Sequence, residues 1–353
     1  MADREELERI LESIDEADAS LAQALDARAR AVRALTQLEE REPDAYFRVP
    51  RDEDYVARAR ERVKDFPATG VEPVLREVLG VCASLTAPRV IAYLGEPGGF
   101  AHLAARTHFG RASSFHGYED VATLLEDVQK ERASFGVLPL ETSSDGAVTA
   151  TLLGLAGADA RICAERTVTT SYHLLSGTGN ATDVEKVYGT RAALAACARF
   201  LARELPRATV IDVPSGEMAA ELVREDHGAA VVGTEMLVEL FGLRMARERI
   251  EDRTHVETRY AVVSDELPSR SGKDHTVIAM AVHDAPGALY ESLKPFAARD
   301  VNLTKLESRP TPQWRYLFFV EMDGHVTDRP ILTALEELRG ISRYVKVLGS
   351  YPV

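Results

Sequence analysis

Three short stretches of the sequence gather side chains able to hold and act on a small polar molecule. In GVLPLETSSDGAV, residues 136–148, an apolar run (Val137, Leu138) leads into Glu141, then Thr142, Ser143, Ser144 and Asp145, then Gly146. A strand that ends in so many small hydrogen-bonding groups has something to hold. GEPGGF, residues 95–100, is a glycine turn whose backbone N–H groups are available to a carboxylate. In HVETRYAVV a hydroxyl and a cation, Thr258 and Arg259, stand side by side; alone, the pair reads as an ordinary strand start. Further on, Pro286-Gly287 opens a helix whose free N–H groups could hold a carboxylate, with Gly287 allowing close approach. Metal chemistry is not expected. The nine histidines form no i,i+4 pair suited to an ion, and Cys82, Cys163 and Cys197 lack ligand-like or disulfide-framework spacing.

The elements that must position these residues fall into three compositional regimes. Residues 1–88 have no glycine before Gly70, and apolar residues recur at Leu7, Leu11, Ile14, Leu21, Leu25, Val32 and Leu35, a helical spacing of four and three. One long helix is expected, then a break between Pro43 and Pro50, a second helix from about Asp52 to Val63 and a third from about Val74 to Leu85. From Val90 to residue 265 strands alternate with helices, which implies a mostly parallel sheet covered on both faces. RICAERTVTTSYHLL reads there as one strand and RAALAACARFLAREL as one helix. Residues 266–274, ELPSRSGKD, form a polar linker. From residue 275 to 353 the order is βαββαβ, a ferredoxin-like unit with Trp314 as a core residue of its third strand.

The 353 residues thus suit three domains, and 45% hydrophobic with 28% charged residues is ordinary for globular protein. A net charge of −14 argues against nucleic-acid and anionic-membrane partners, but not against an anionic small molecule, for which one or two local cations suffice. The N-terminus MADREELERI lacks the apolar segment of a signal peptide, and no run approaches a membrane span, so a cytoplasmic protein is expected.

The segment HDAPGALYESLKPFAARDVNLTKLESRP resembles the ACT domain of prephenate dehydratases, through Gly287-Ala288-Leu289 and Glu307-Ser308-Arg309-Pro310. The resemblance implies a sensor for L-phenylalanine, bound at the interface of a homodimer or higher oligomer. Residues 89–265 then resemble the dehydratase domain itself, with the two lobes of a periplasmic-binding-protein-like fold. Prephenate, a dicarboxylate with a 4-hydroxyl on a cyclohexadiene ring, loses carbon dioxide and hydroxide to become aromatic, so donors for anions and for the departing hydroxyl are needed and no cofactor is. In that resemblance Thr258 assists the hydroxyl, Arg259 supplies positive charge and Glu141 lies in the cleft. Gly98, Gly99, Thr142, Ser143, Ser144, Tyr172 and Ser215 bind substrate. Several positions depart from the family pattern: Gly99 and Ala101 lack its hydroxyls, Thr142 and Val256 replace asparagines, Tyr172 a histidine, Gly189-Thr190-Arg191-Ala192 a Ser-His-Pro-Gln run, Ala196 a glutamine, and Tyr260 a phenylalanine.

Residues 1–88 resemble an AroQ-type chorismate mutase, all-α, with Arg28, Arg51 and Ser84 matching its pattern and Asp18 and Arg28 on the seam of Leu21 and Leu25. Leu11, Glu39, Arg48 and Pro88 replace an arginine, a lysine, an aspartate and a glutamine. A carboxylate where the lysine belongs repels the substrate's carboxylates by roughly 1–4 kcal/mol at about 4 Å. A mutase in shape only is expected. Two other readings of the chain stay open: a regulatory binding protein with worn catalytic domains, and an enzyme acting on a related cyclohexadienyl acid.

Overall fold

The computed structural model describes residues 2–41, 52–86, 89–265, 267–311 and 316–353. Pro43, Arg48, Pro50, Arg51, Pro88, Trp314 and the side chain of Glu39 lie outside the described residues. Two compact units emerge, one of residues 1–89 with 106–114, the other of 90–105 with 115–353.

In the first unit, α1 (Ala2–Arg41) is the single long helix that the spacing predicts. Its stripe of Leu7, Leu11, Ile14 and Leu21 is about half exposed. α2 (Asp52–Arg62) packs on α3 (Ala68–Ser84), with Val56, Val71 and Leu79 buried and an Arg60–Glu72 ion pair of 2.7 Å joining the two helices. α3 begins six residues before the expected Val74. Pro73 lies inside it at the sixth helical position, where proline gives up one intrahelical hydrogen bond without ending the helix.

In the second unit the elements run β1 (Val90–Leu94), α4 (Phe100–Phe109), β2 (Ser114–Tyr118), α5 (Val121–Gln129), β3 (Phe135–Thr142), β4 (Gly146–Ala147), α6 (Thr149–Gly157) and β5 (Arg161–Thr169). α4 and β2 each have residues in both units. A second lobe follows: β6 (His173–Ser176), β7 (Lys186–Gly189), α7 (Arg191–Ala196), α8 (Ala198–Glu204), β8 (Thr209–Asp212), α9 (Gly216–Glu225), β9 (Ala229–Gly233), α10 (Met236–Phe241) and β10 (Arg244–Arg247). The chain then returns to the first lobe as β11 (Glu257–Ser264). The last region is β12 (Asp274–Ala281), α11 (Ala288–Ala297), β13 (Leu303–Arg309), β14 (Leu317–Asp323), α12 (Arg329–Ile341) and β15 (Tyr344–Pro352), the expected βαββαβ order.

Three further expectations need correction. RICAERTVTTSYHLL is two strands, β5 and β6, in two different sheets, because Thr170–Tyr172 carries the chain from one lobe to the other. The sheets are mixed rather than mostly parallel. Returning through the second crossing, β11 enters between β3 and β5 antiparallel to both, whereas β1 and β3 are parallel. The predicted helix RAALAACARFLAREL also breaks at Cys197, where the Asp252 carboxylate accepts the backbone N–H groups of Arg199 and Phe200 and so caps a fresh helix, α8.

The first sheet runs β13-β14-β12-β15-β5-β11-β3-β1-β2, with β4 paired to β3, and the second runs β10-β6-β9-β7-β8. β15 joins β5 at a single pair, Gly349 opposite Ile162. A side chain at 349 would put its Cβ 2.4 Å from the Ile162 carbonyl oxygen, so only glycine allows the C-terminal strands to dock there. One apolar core then spans both regions, from Ala92, Leu138 and Ile162 to Val277, Phe319 and Tyr351. The C-terminal domain is built into the floor of the first lobe.

Candidate active site

Strand alternation decides which side chains of β3 and β11 meet the cleft. Thr258 lies opposite Thr142 in the ladder and Arg259 opposite Glu141, so each pair shares a face and the two pairs face opposite ways. The Thr142–Thr258 face lines a cavity of about 630 Å³ between the lobes, with Phe100, Ser144, Asp145, Thr170, Tyr172, Ala196, Arg199, Glu251, Asp252, Arg253 and Val256.

Thr258 is only 6% exposed, and its hydroxyl lies 3.5 Å from that of Thr170 in the crossing segment. The two crossings that carry these residues are stitched together: Thr170 N–H donates to Val256 C=O at 2.7 Å and Ile250 N–H to Tyr172 C=O at 2.8 Å. Phe100 meets Tyr172 edge-on with centroids 5.1 Å apart, giving the cavity an aromatic side. Burial pushes the Tyr172 phenol up to about 12, so it stays a neutral donor. Burial and then the neighbouring Tyr172 also raise the Tyr260 phenol, whereas a hydrogen bond from Thr258 opposes the rise.

Of the residues expected to bind substrate, Thr142, Ser144 and Tyr172 share the cavity with Thr258; the others are occupied elsewhere. The Ser143 hydroxyl accepts the Glu257 N–H at 3.0 Å and extends the β3–β11 ladder. Ser215 caps α9 by accepting the Met218 N–H at 3.0 Å. Gly98 stands where the two lobes meet, and its N–H donates to His102 Nδ1 at 3.1 Å. The Gly98 C=O accepts the Thr234 hydroxyl of the second lobe, and a Cβ at 98, where φ is +80°, would stand 2.5 Å from Leu237. Gly99 turns its N–H to the Glu96 carbonyl at 3.1 Å. Glu96 completes the clasp by accepting the Gly216 N–H, at the start of α9, with both carboxylate oxygens at 2.9 Å. Burial raises its pKa, against the opposing pull of that hydrogen bond.

Glu141 and Arg259, expected in the catalytic centre, face away from the cavity. Arg259 is held at both ends of its fork by Glu165, at 2.6 and 3.1 Å, and also meets Glu141 at 3.0 Å and Glu321 of β14 at 3.3 Å. Lys305 of β13 reaches Glu141 at 2.7 Å, and the buried Tyr351 hydroxyl donates to Glu165 at 2.5 Å. Burial opposes the charge on Arg259, but Glu165 and then Glu321 outweigh it and raise its pKa. Burial also works against ionised Glu141, yet Lys305 and Arg259 bring its pKa below the usual value. Glu321 goes the other way, raised by deeper burial that Arg259 only partly offsets. Among the described residues two cations, Arg259 and Lys305, thus serve three carboxylates, Glu141, Glu165 and Glu321.

In the C-terminal domain a second cavity, about 430 Å³, is lined by His283, Asp284, Gly287, Ala288, Leu289, Tyr290, Tyr316 and Arg343. Gly287, at φ +80°, is the N-cap of α11. Glu307, Ser308 and Arg309 do not line this cavity. They lie on β13, the edge strand, where Arg309 pairs with Glu307 at 3.0 Å and donates to the Ala147 carbonyl at 3.3 Å. In the first unit the Arg28 guanidinium lies 5.4 Å from the Tyr55 ring centroid, and Ser84 bonds its own helix at Val81 C=O. Among the described residues no cluster of three His, Cys, Asp or Glu could hold a metal ion, and no helix is long and apolar enough to cross a membrane.

A two-lobed α/β domain with a hydroxyl-lined cleft, fused to a ferredoxin-like regulatory fold, defines the class. Residues 91–267 match the prephenate dehydratase family model and residues 276–340 the ACT domain model. The chain belongs to the prephenate dehydratase family and carries an ACT domain. A bifunctional chorismate mutase/prephenate dehydratase of Aquifex aeolicus is 33% identical over 99% of this chain and 98% of its own. The crystal structure of an Arthrobacter aurescens prephenate dehydratase in complex with L-Phe superposes with a TM-score of 0.67 at 33% identity, covering 75% of this chain and 90% of that one. A protein described as a novel type of quorum quenching acylase gives the same TM-score at 27% identity, covering 75% and 98%.

Proposed function

We propose that the protein converts prephenate to phenylpyruvate. The observation that carries this reading is the buried Thr258 hydroxyl in a cavity with an aromatic side. The ring lies against Phe100 and Tyr172. The ring carboxylate leaves as carbon dioxide, its electron pair enters the ring, and the 4-hydroxyl departs as hydroxide that becomes water on taking a proton. Thr258 donates a hydrogen bond to the departing oxygen, with Thr170 beside it to orient the hydroxyl. Thr142, Ser144 and the Tyr172 phenol supply neutral hydrogen-bonding groups. Aromatisation drives the step without a cofactor. Phenylpyruvate formation from prephenate by the purified protein is the test, and an inactive protein that still binds prephenate points to the regulatory reading instead. The absence of an apolar span among the described residues fits a cytoplasmic setting.

L-phenylalanine acts through the C-terminal domain. Its carboxylate meets the start of α11 at Gly287, Ala288 and Leu289, and a second copy of the chain brings the edge strand with Glu307, Ser308 and Arg309 to complete the site. L-phenylalanine therefore gives saturable heat in calorimetry, and light scattering returns at least a dimer. A monomer, or no heat at millimolar ligand, removes this reading.

The first unit keeps the outline of a mutase but not its clamp. Leu11 offers no charge to a carboxylate, and Ser84 is engaged by its own helix. Chorismate turnover is expected to be negligible. A chorismate-to-prephenate rate within about tenfold of the ordinary range, a kcat of roughly 1–10³ per second, would show that other residues have taken over the clamp.

A further inference from the structure

We propose that Arg199 and Arg253 together clamp the two carboxylates of the substrate. The inference rests on the prephenate reading and adds the charge that its site otherwise lacks. The threonines, Ser144 and Tyr172 are neutral donors, and Ala196 and Val256 leave parts of the wall apolar. A dianion taken from water needs more than hydroxyls to offset its lost hydration.

Arg199 and Arg253 both line the cavity, and neither guanidinium has a partner among the described residues. The acids of the same wall are already engaged. Glu251 accepts the Tyr172 N–H at 3.0 Å. Asp252 accepts the N–H groups of Arg199 and Phe200 at 2.9 and 3.2 Å. Asp145 accepts the Ser144 hydroxyl at 2.7 Å. These bonds fix the three carboxylates without removing their charge, and Glu251 is paired further with Arg249 at 3.7 Å, so the two arginines are the groups of this wall whose charge can turn to an incoming anion.

One residue sets the two arginines in relation to each other. Asp252 fixes the start of α8, where Arg199 stands, with its carboxylate, and its own N–H donates to the Ala196 carbonyl at 2.7 Å. Arg253 follows it directly in the chain. The helix break at Cys197 and the returning crossing are thereby tied into one wall bearing two cations. Two guanidinium groups that form no ion pair among the described residues match a ligand of charge −2, and each can take a carboxylate through two parallel hydrogen bonds.

The test is steady-state kinetics on prephenate with Arg199→Gln, Arg253→Gln, the double variant and Arg199→Lys. Each single glutamine variant is expected to raise KM about 10- to 100-fold with kcat within about threefold, the signature of lost uniform binding. Arg199→Lys keeps the charge and recovers part of the loss. Salt raises the wild-type KM and leaves the double variant's nearly unchanged. Phenylpyruvate, with one carboxylate, inhibits more weakly after only one of the two single substitutions. Unchanged KM in both single variants overturns the clamp, as does a fall in kcat with KM intact. If the wild type does not turn prephenate over, the dehydratase reading fails on its own. Calorimetric titration of prephenate into wild type and variants then still decides the clamp, with equal binding in all of them counting against it.

Discussion

Thr258→Ala lowers kcat for prephenate about 10²–10³-fold and leaves KM within a few-fold of the wild type. The size is that of one preorganised donor aimed at charge that develops in the transition state. Two features of Thr258 make it such a donor. It is almost wholly buried, so water does not substitute for it, and it lies on a strand paired on both sides, so its position does not relax when substrate enters. The ground-state substrate has no charge on its hydroxyl, which is why binding changes little while turnover collapses. Thr258→Ser keeps the hydroxyl and most of the rate, whereas Thr258→Val keeps the shape and loses it. Thr170→Ala costs less, because Thr170 orients the hydroxyl and does not touch the departing group. Kinetics at saturating prephenate, with phenylpyruvate as the product followed, measure all four. Wild-type turnover in Thr258→Ala would place the donor elsewhere, with Tyr172 next in line as a neutral phenol on the same cavity.

The parts of this molecule that were legible in its sequence are those set by local rules. The four-and-three spacing from Leu7 to Leu35 declares a helix whatever it packs against, and the βαββαβ order of the last domain follows from alternating apolar runs and their turn residues. Thr258, Thr142, Ser144 and Tyr172, which line one cavity, come from motifs that keep their order along the chain. What escaped depends on where the chain crosses between lobes. TVTTSYHLL has β-branched and aromatic residues throughout, so no local signal separates β5 from β6; only the second sheet, which claims Leu174 and Leu175, makes the break. The break at Cys197 is imposed by Asp252, more than fifty residues away in sequence. Arg199 and Arg253 give no signal in the sequence for the same reason, since each looks like any exposed arginine until the fold brings both to one cavity wall. Arg259 shows the opposite failure. Its neighbour Thr258 is in the cleft, and strand alternation alone says that the next side chain points away, which motif reasoning passed over.

Arg259→Met is expected to destabilise the second unit by about 3 kcal/mol, at the lower end of what breaking a buried ion pair costs because the cluster is only part-buried. Removing the guanidinium leaves Glu165, Glu141 and Glu321 facing one another with Lys305 as their remaining cation among the described residues, and Lys305 pairs with Glu141. The urea midpoint falls while KM for prephenate stays within about threefold, because the side chain does not line the cavity. A second consequence concerns regulation. Glu321 and Lys305 belong to the C-terminal domain, Glu141 to β3 and Arg259 to β11, so the cluster joins the effector domain's strands to the two strands that carry Thr142 and Thr258. Inhibition or activation by L-phenylalanine should therefore weaken in Arg259→Met at an unchanged affinity for the effector, since the link is cut and the site is not. The double variant Arg259→Met with Glu165→Met recovers much of the lost stability, as replacing both members of such a pair by apolar side chains is commonly neutral, but it does not recover the response. A KM raised tenfold or more with the urea midpoint intact would mean that Arg259 turns into the cleft when substrate binds. In that event the carboxylate partner first read from the Thr258-Arg259 motif stands, and the cluster on the far face is a resting place for the same charge.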